Sequence, residues 1–117
     1  MKIREIAEIL GATIEVQGDS LDLEVDAAFG SDLMSDVMAY AKDNVLLLTG
    51  LVSPQVIRTA EMMDIKTVVL VRGKKPDHCM IQLAEEKGIT LLSTKDTMFV
   101  SCGKLYSTGL TGKGVRE

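Results

Sequence analysis

The chain opens with Ile3, Ile6, Ala7 and Leu10 at helical spacing and meets Gly11 at once, which predicts an amphipathic helix stopped by a glycine cap. The β-branched run from Thr13 to Gln17 predicts a short strand, and Gly18-Asp19 reads as a turn. Beyond it Leu21, Leu23, Val25 and Ala27 alternate with Asp22, Glu24 and Asp26, so the two stretches together predict a half-exposed hairpin on one flank. A second helix is predicted where Ser31 or Asp32 caps an apolar stripe of Leu33, Met34, Val37, Met38 and Ala41.

From Val45 onward the pattern changes to short, wholly apolar runs separated by helical stretches. Val45 to Leu48 reads as a buried strand leading into Thr49-Gly50. Ser53-Pro54 then supplies an N-cap followed by proline at the first helical position, with Val56, Ile57, Ala60 and Met63 as the apolar face. The cycle repeats: a strand over 67–71, a loop over 72–76, a helix over 77–87 capped by Gly88, a strand over 89–92, and a last helix from about Asp96. Buried strands alternating with helices of about ten residues call for parallel pairing through right-handed crossovers, with helices on both faces of the sheet. After Tyr106 three glycines punctuate a polar stretch with little to bury, so residues 1–107 are expected to form one domain and 108–117 a flexible tail.

Composition narrows the function classes. At 117 residues and 46% apolar, with only 3% aromatics, the chain has the makings of one aliphatic, Met-rich core. No apolar run approaches the ~18 residues of a membrane helix, and the amino terminus reaches an acidic residue by Glu5, unlike a secretion signal; a cytoplasmic location is the expectation. Cys79 and Cys102 lie 23 positions apart, in no CxxC, in a chain with a single histidine, so buried thiols are expected rather than a metal or disulfide framework. The net charge of −4 disfavours nucleic acid, yet residues 1–43 carry ten acids against three bases and residues 44–117 seven against ten. Ile6 to Gly11 has the look of the first helix and turn of a helix-turn-helix, but the strand-like residues that follow and the acidic surroundings remove that reading.

Candidate chemistry sits where an open parallel sheet places its ligands, beyond the carboxyl ends of the strands. There the sequence puts Ser31, Asp32, Thr49, Gly50, Arg72, Gly73, Lys74, Lys75, Ser93 and Thr94. Hydroxyls, backbone N–H groups and the basic run Arg72-Gly73-Lys74-Lys75 suit an anion such as a phosphate-bearing ligand. The plainer reading is that Ser31, Ser53, Asp77 and Thr94 cap helices while Lys74 and Lys75 keep a loop solvated. Neither GxGxxG nor GxxxxGK[ST] occurs. His78 has no partners at triad spacing, and Asp32 and Asp36 have no third ligand nearby. No catalytic residue, metal or cofactor is therefore expected.

Several strings in order carry a family likeness: Ile9-Leu10-Gly11, Gly30 to Met38, the strand into Thr49-Gly50, Leu70-Val71-Arg72-Gly73 with Pro76, and Ala84 to Ile89 leading to Leu91-Leu92-Ser93-Thr94. Over residues 1–107 the chain resembles the DRTGG domain, related to the amino-terminal domain of HPr kinase/phosphorylase. The resemblance implies a three-layer α/β/α sandwich with a mostly parallel sheet of about five strands. It also implies an accessory module, found alone or joined to CBS pairs, phosphotransacetylases and pyrophosphatases, and it brings no catalytic residues. The chain departs from the family pattern with Val52-Ser53 where Asp-Arg is usual, and with Gly50-Leu51 and Arg72-Gly73 where paired glycines are usual, so no role is carried onto those positions.

Taken together the sequence points to a non-catalytic regulatory or protein-interaction module sensing a small anionic or nucleotide ligand at the C-terminal edge of the sheet. A homodimer is expected, with a partner enzyme or signalling protein, and without nucleic acid or membrane. The alternatives are a small enzyme or phosphotransfer-related activity using Ser, Asp and Thr at the strand ends, and a purely structural dimerisation domain.

Overall fold

A computed structural model describes residues 1–41 and 44–111. Its elements are α1 (Ile3–Leu10), β1 (Thr13–Val16), β2 (Ala27–Gly30), α2 (Met34–Tyr40), β3 (Val45–Thr49), α3 (Pro54–Met62), β4 (Thr67–Leu70), α4 (His78–Lys87), β5 (Thr90–Ser93) and α5 (Met98–Ser107). The five strands form one sheet in the order β1-β5-β4-β3-β2. β2 through β5 run parallel, and β1 is antiparallel to β5.

Because each strand from β2 to β5 lies beside the next in sequence, the crossover helices α2, α3 and α4 share one face, as right-handed connections require. Val45 and Leu47 of β3 point to that side, into a core with Val37, Ile57, Ala60 and Met80. Leu46 and Leu48 point the other way, to Ile3 and Ile6 of α1 and Leu105 of α5. A run of apolar residues without alternation is what a strand covered on both faces demands, and all five positions of β3 are buried. The architecture is the expected three-layer α/β/α sandwich with a mostly parallel sheet.

Capping residues set the helix ends largely as read from the sequence. Gly11 stops α1 with φ of 57° and Gly88 stops α4 with φ of 69°, in the left-handed region where glycine avoids the Cβ penalty. Ser53 and Asp77 accept the Gln55 and Met80 N–H groups at the starts of α3 and α4. The second helix departs from expectation. Ser31 Oγ instead accepts the N–H of Leu33, the helix begins only at Met34, and Leu33 and Met38 stay exposed while Met34, Val37 and Ala41 are buried. α5 likewise starts later, at Met98, and is capped by Thr97 rather than by Thr94, whose hydroxyl is engaged by the Leu10 carbonyl and the Asp96 N–H.

The amino-terminal hairpin is corrected outright. β1 pairs with β5 on one edge of the sheet, and Ala27 to Gly30 pairs with β3 on the opposite edge. The alternating stretch between them runs beside the start of α1, where Ile3 and Arg4 donate to the carbonyls of Leu23 and Leu21, and Val25 donates to that of Met1. Leu21 and Val25 are buried there. Period-two alternation reports one covered face without saying by what, and here a helix does the covering. The Gly18-Asp19 turn docks on the entry to β5, with Gly18 N–H donating to Thr90 Oγ1 and Asp19 N–H to the Gly88 carbonyl.

The tail and the sulfur residues also need revision. Leu110 is buried beside Leu105, and the Thr111 carbonyl accepts from Ala28 N–H on the outer edge of β2, so residues 108–111 belong to the folded body. The remainder of the expected tail, 112–117, lies outside the described residues. Cys79 is exposed and Cys102 half-buried, where burial pushes the Cys102 thiol up. Met34 and Met80 are buried, Met1, Met63 and Met98 pack half-buried against the two cores, and only Met38 and Met62 are exposed, so the core is aliphatic with methionine mostly at its margins.

Candidate functional site

The parallel strands β2, β3, β4 and β5 all end on one edge, and the loops that follow carry the residues singled out in the sequence. Strand order spreads them into two neighbouring clusters. Ser31, Asp32, Thr49, Gly50 and Arg72 gather at the ends of β2, β3 and β4. Gly73, Lys75, Ser93 and Thr94 gather at the ends of β4 and β5, beside the start of antiparallel β1. Lys74 is exposed between them and makes no ion pair among the described residues.

In the first cluster a carboxylate already sits where a ligand anion was expected. Asp32 Oδ1 accepts Gly50 N–H at 2.6 Å and Thr49 Oγ1–H at 3.4 Å, and Oδ2 lies 3.8 Å from the Arg72 guanidinium. Thr49 is fully buried, and its hydroxyl oxygen also accepts Leu51 N–H at 3.2 Å. Arg72 itself has φ of 63°, an uncommon conformation for a residue with a Cβ. Its N–H donates to the Asp96 carbonyl at 2.7 Å and Gly73 N–H donates to that of Thr94 at 2.9 Å, which ties the turn after β4 to the loop after β5.

The second cluster lines a cleft of about 490 Å³ bounded by Leu10, Gly11 and Thr13 on one side and by Gly73, Lys75, Ser93, Thr94, Lys95 and Asp96 on the other. Lys75 Nζ donates to Glu15 at 3.1 Å and to Ser93 Oγ at 3.2 Å, and Ser93 Oγ–H donates to the same Glu15 oxygen at 2.5 Å. The Ser93 hydroxyl, helped by Lys75, holds the Glu15 carboxyl below its ordinary value against the opposing effect of burial. Thr94 Oγ1–H donates to the Leu10 carbonyl at 2.9 Å and accepts Asp96 N–H at 3.3 Å, which closes the floor of the cleft. Asp96 is neutralised by Lys104 at 2.6 Å, whereas Lys95 is exposed and unpaired among the described residues.

The charge asymmetry of the sequence therefore resolves partly within the chain: Asp32 and Glu15 of the acidic part meet Arg72 and Lys75 of the basic part. The helix starts behind these loops are also occupied by their own caps, Ser53, Asp77 and Thr97. What remains outward-facing for an anion is Lys74 on the turn after β4 and, at the cleft, Lys95, the solvated side of Lys75 and the polar lining between them. Sequence reasoning missed Glu15, Lys95, Asp96 and the Gly11–Thr13 wall. Lys95 directly follows Ser93-Thr94 and was within reach of the strand-end rule, but Glu15 joins the site only through the antiparallel pairing of β1 with β5. No group of three or more potential metal ligands occurs among the described residues.

No curated protein matches the chain. A solved structure of the CBS and DRTGG domains of the regulatory region of Clostridium perfringens pyrophosphatase, complexed with the activator diadenosine tetraphosphate, superposes with a TM-score of 0.78 at 11% identity. The superposition covers 99% of this chain and 50% of that one, so the present chain spans half the length of that regulatory region. At such identity the likeness concerns the fold. The sequence itself matches the DRTGG domain over residues 5–106, nearly the whole described body. The chain belongs to the DRTGG domain family.

Proposed function

We propose that this chain is a regulatory module without catalysis of its own, which binds a small phosphate-bearing ligand of nucleotide or phosphometabolite type and relays its presence to a partner enzyme or signalling protein. The observation that carries this reading is the cleft between β1, β5 and the turn after β4, with Lys75 and Lys95 beside the polar lining of Ser93, Thr94 and Gly73. Two ammonium groups flanking a pocket of small-ligand size supply the charge-assisted donors that phosphate oxygens require. The kinship of fold with a regulatory region that binds a dinucleotide activator agrees with it.

Self-association is part of the same reading. Phe99 is 86% and Tyr106 68% exposed on α5, and large apolar side chains left in water favour a second surface. A monomer mass by light scattering at about 100 μM would contradict this element, since ordinary dimers are formed at that concentration. The ligand reading is tested by thermal melting with diadenosine tetraphosphate, ATP, AMP and inorganic phosphate, in wild type and in the Lys75→Ala/Lys95→Ala variant. A rise in melting temperature that the double variant lacks supports it.

A further inference from the structure

The cluster at the ends of β2, β3 and β4 is assembled as an anion cradle, and its occupant belongs to the chain itself. Its donors are a backbone N–H on Gly50, a buried hydroxyl on Thr49 and the guanidinium of Arg72. All three converge on the two oxygens of one carboxylate, Asp32, which arrives from the loop after a different strand. Gly50 has no side chain to block the approach, and the Arg72 guanidinium lies in the space that a side chain there would fill. An N–H, a hydroxyl and a guanidinium aimed at one point form the donor set that recognises phosphate oxygens.

The hold on Asp32 is uneven. The Gly50 hydrogen bond is short, but Arg72 stands at 3.8 Å with both side chains about half exposed, the geometry of an ion pair that contributes little in water. A carboxylate offers two oxygens in a plane, whereas a phosphate offers a third and carries up to twice the charge. The tethered carboxylate therefore acts as a resident competitor: its local concentration is fixed by the short loop, and an external anion must exceed it to enter.

We propose that Gly50, Thr49 and Arg72 form a phosphate site held closed by Asp32, distinct from the Lys75–Lys95 cleft, and that Asp32 sets the concentration threshold at which phosphate enters. The probe is inorganic phosphate, followed at the Gly50 and Leu51 amides by NMR against sodium chloride of matched ionic strength. In Asp32→Ala those amides respond saturably, with an apparent affinity at least about tenfold tighter than wild type, because the competitor is gone. Adding Arg72→Ala to that variant removes the response. Asp32→Asn, which keeps an oxygen on Gly50 but loses the charge, falls between the two and serves also where Asp32→Ala does not fold.

Equal response to chloride, or the same phosphate affinity in wild type and both Asp32 variants, overturns the proposal. Lys75→Ala/Lys95→Ala on the Asp32→Ala background separates the two sites. A retained response at Gly50 supports the cradle whatever becomes of the cleft. A lost response places the phosphate in the cleft, which overturns this proposal and leaves the proposed function standing.

Discussion

The guanidinium of Arg72 lies against Gly50, in the volume that a side chain at position 50 would occupy. That contact joins the ends of β3 and β4 and brings Arg72 toward Asp32 from the end of β2. Gly50 is thus required for room, and its φ is not among the left-handed ones.

Replacing Gly50 by Ala should destabilise the fold by roughly 1 kcal/mol, because a methyl displaces the flexible end of Arg72 rather than fixed backbone. In an Arg72→Ala background the same substitution should be close to neutral. A double-mutant cycle by urea unfolding measures the difference, and additive effects would show that Arg72 is not what Gly50 makes room for.

Leu110→Ala should lower stability by about 2 kcal/mol, at the low end for a buried leucine because the site lies near the edge of the core. Leu110 is 4% exposed beside Leu105. Urea unfolding that gives no change would return residues 108–111 to the status of a tail.

These two cases mark what the sequence made legible. The strictly apolar runs of β3 and β4 and the caps Gly11, Ser53, Asp77 and Gly88 announced the parallel sheet and its helices, because burial on both faces and helix termination are local demands. Leu21 to Val25 and Leu110 were misread because a local pattern does not say what covers an apolar residue: α1 covers the first set, and Leu110 folds back on Leu105 of the adjoining α5 while Thr111 anchors the segment to Ala28 of distant β2. Glu15 was invisible as a site residue on the same ground, since only the antiparallel pairing of β1 with β5 brings it to Ser93 and Lys75.

Glu15 also gives a pH dependence with a defined sign. Its carboxyl titrates below the ordinary 4.5 when folded, chiefly through the Ser93 hydroxyl. The unfolded chain thus takes up a proton first as pH falls, so this contribution is full above the unfolded value and drains away through the lowered one. Glu15→Gln should therefore melt below wild type at about pH 7, with the gap closing in acid. A gap that is constant across that range would show that the Glu15 charge contributes nothing.

The cleft reading places the ligand's phosphate between Lys75 and Lys95, and neither substitution touches the core. The most direct measurement is a thermal titration of wild type, Lys75→Ala/Lys95→Ala, and a control, Lys66→Ala, at the exposed residue just before β4 and so at the amino ends of the strands, with diadenosine tetraphosphate and ATP. The expected result is a concentration-dependent rise in melting temperature for wild type and the Lys66 control, lost or weakened by at least about tenfold in the double variant, as removal of two charge-assisted contacts requires. No rise with either nucleotide in wild type, or an undiminished rise in the double variant, would contradict the account.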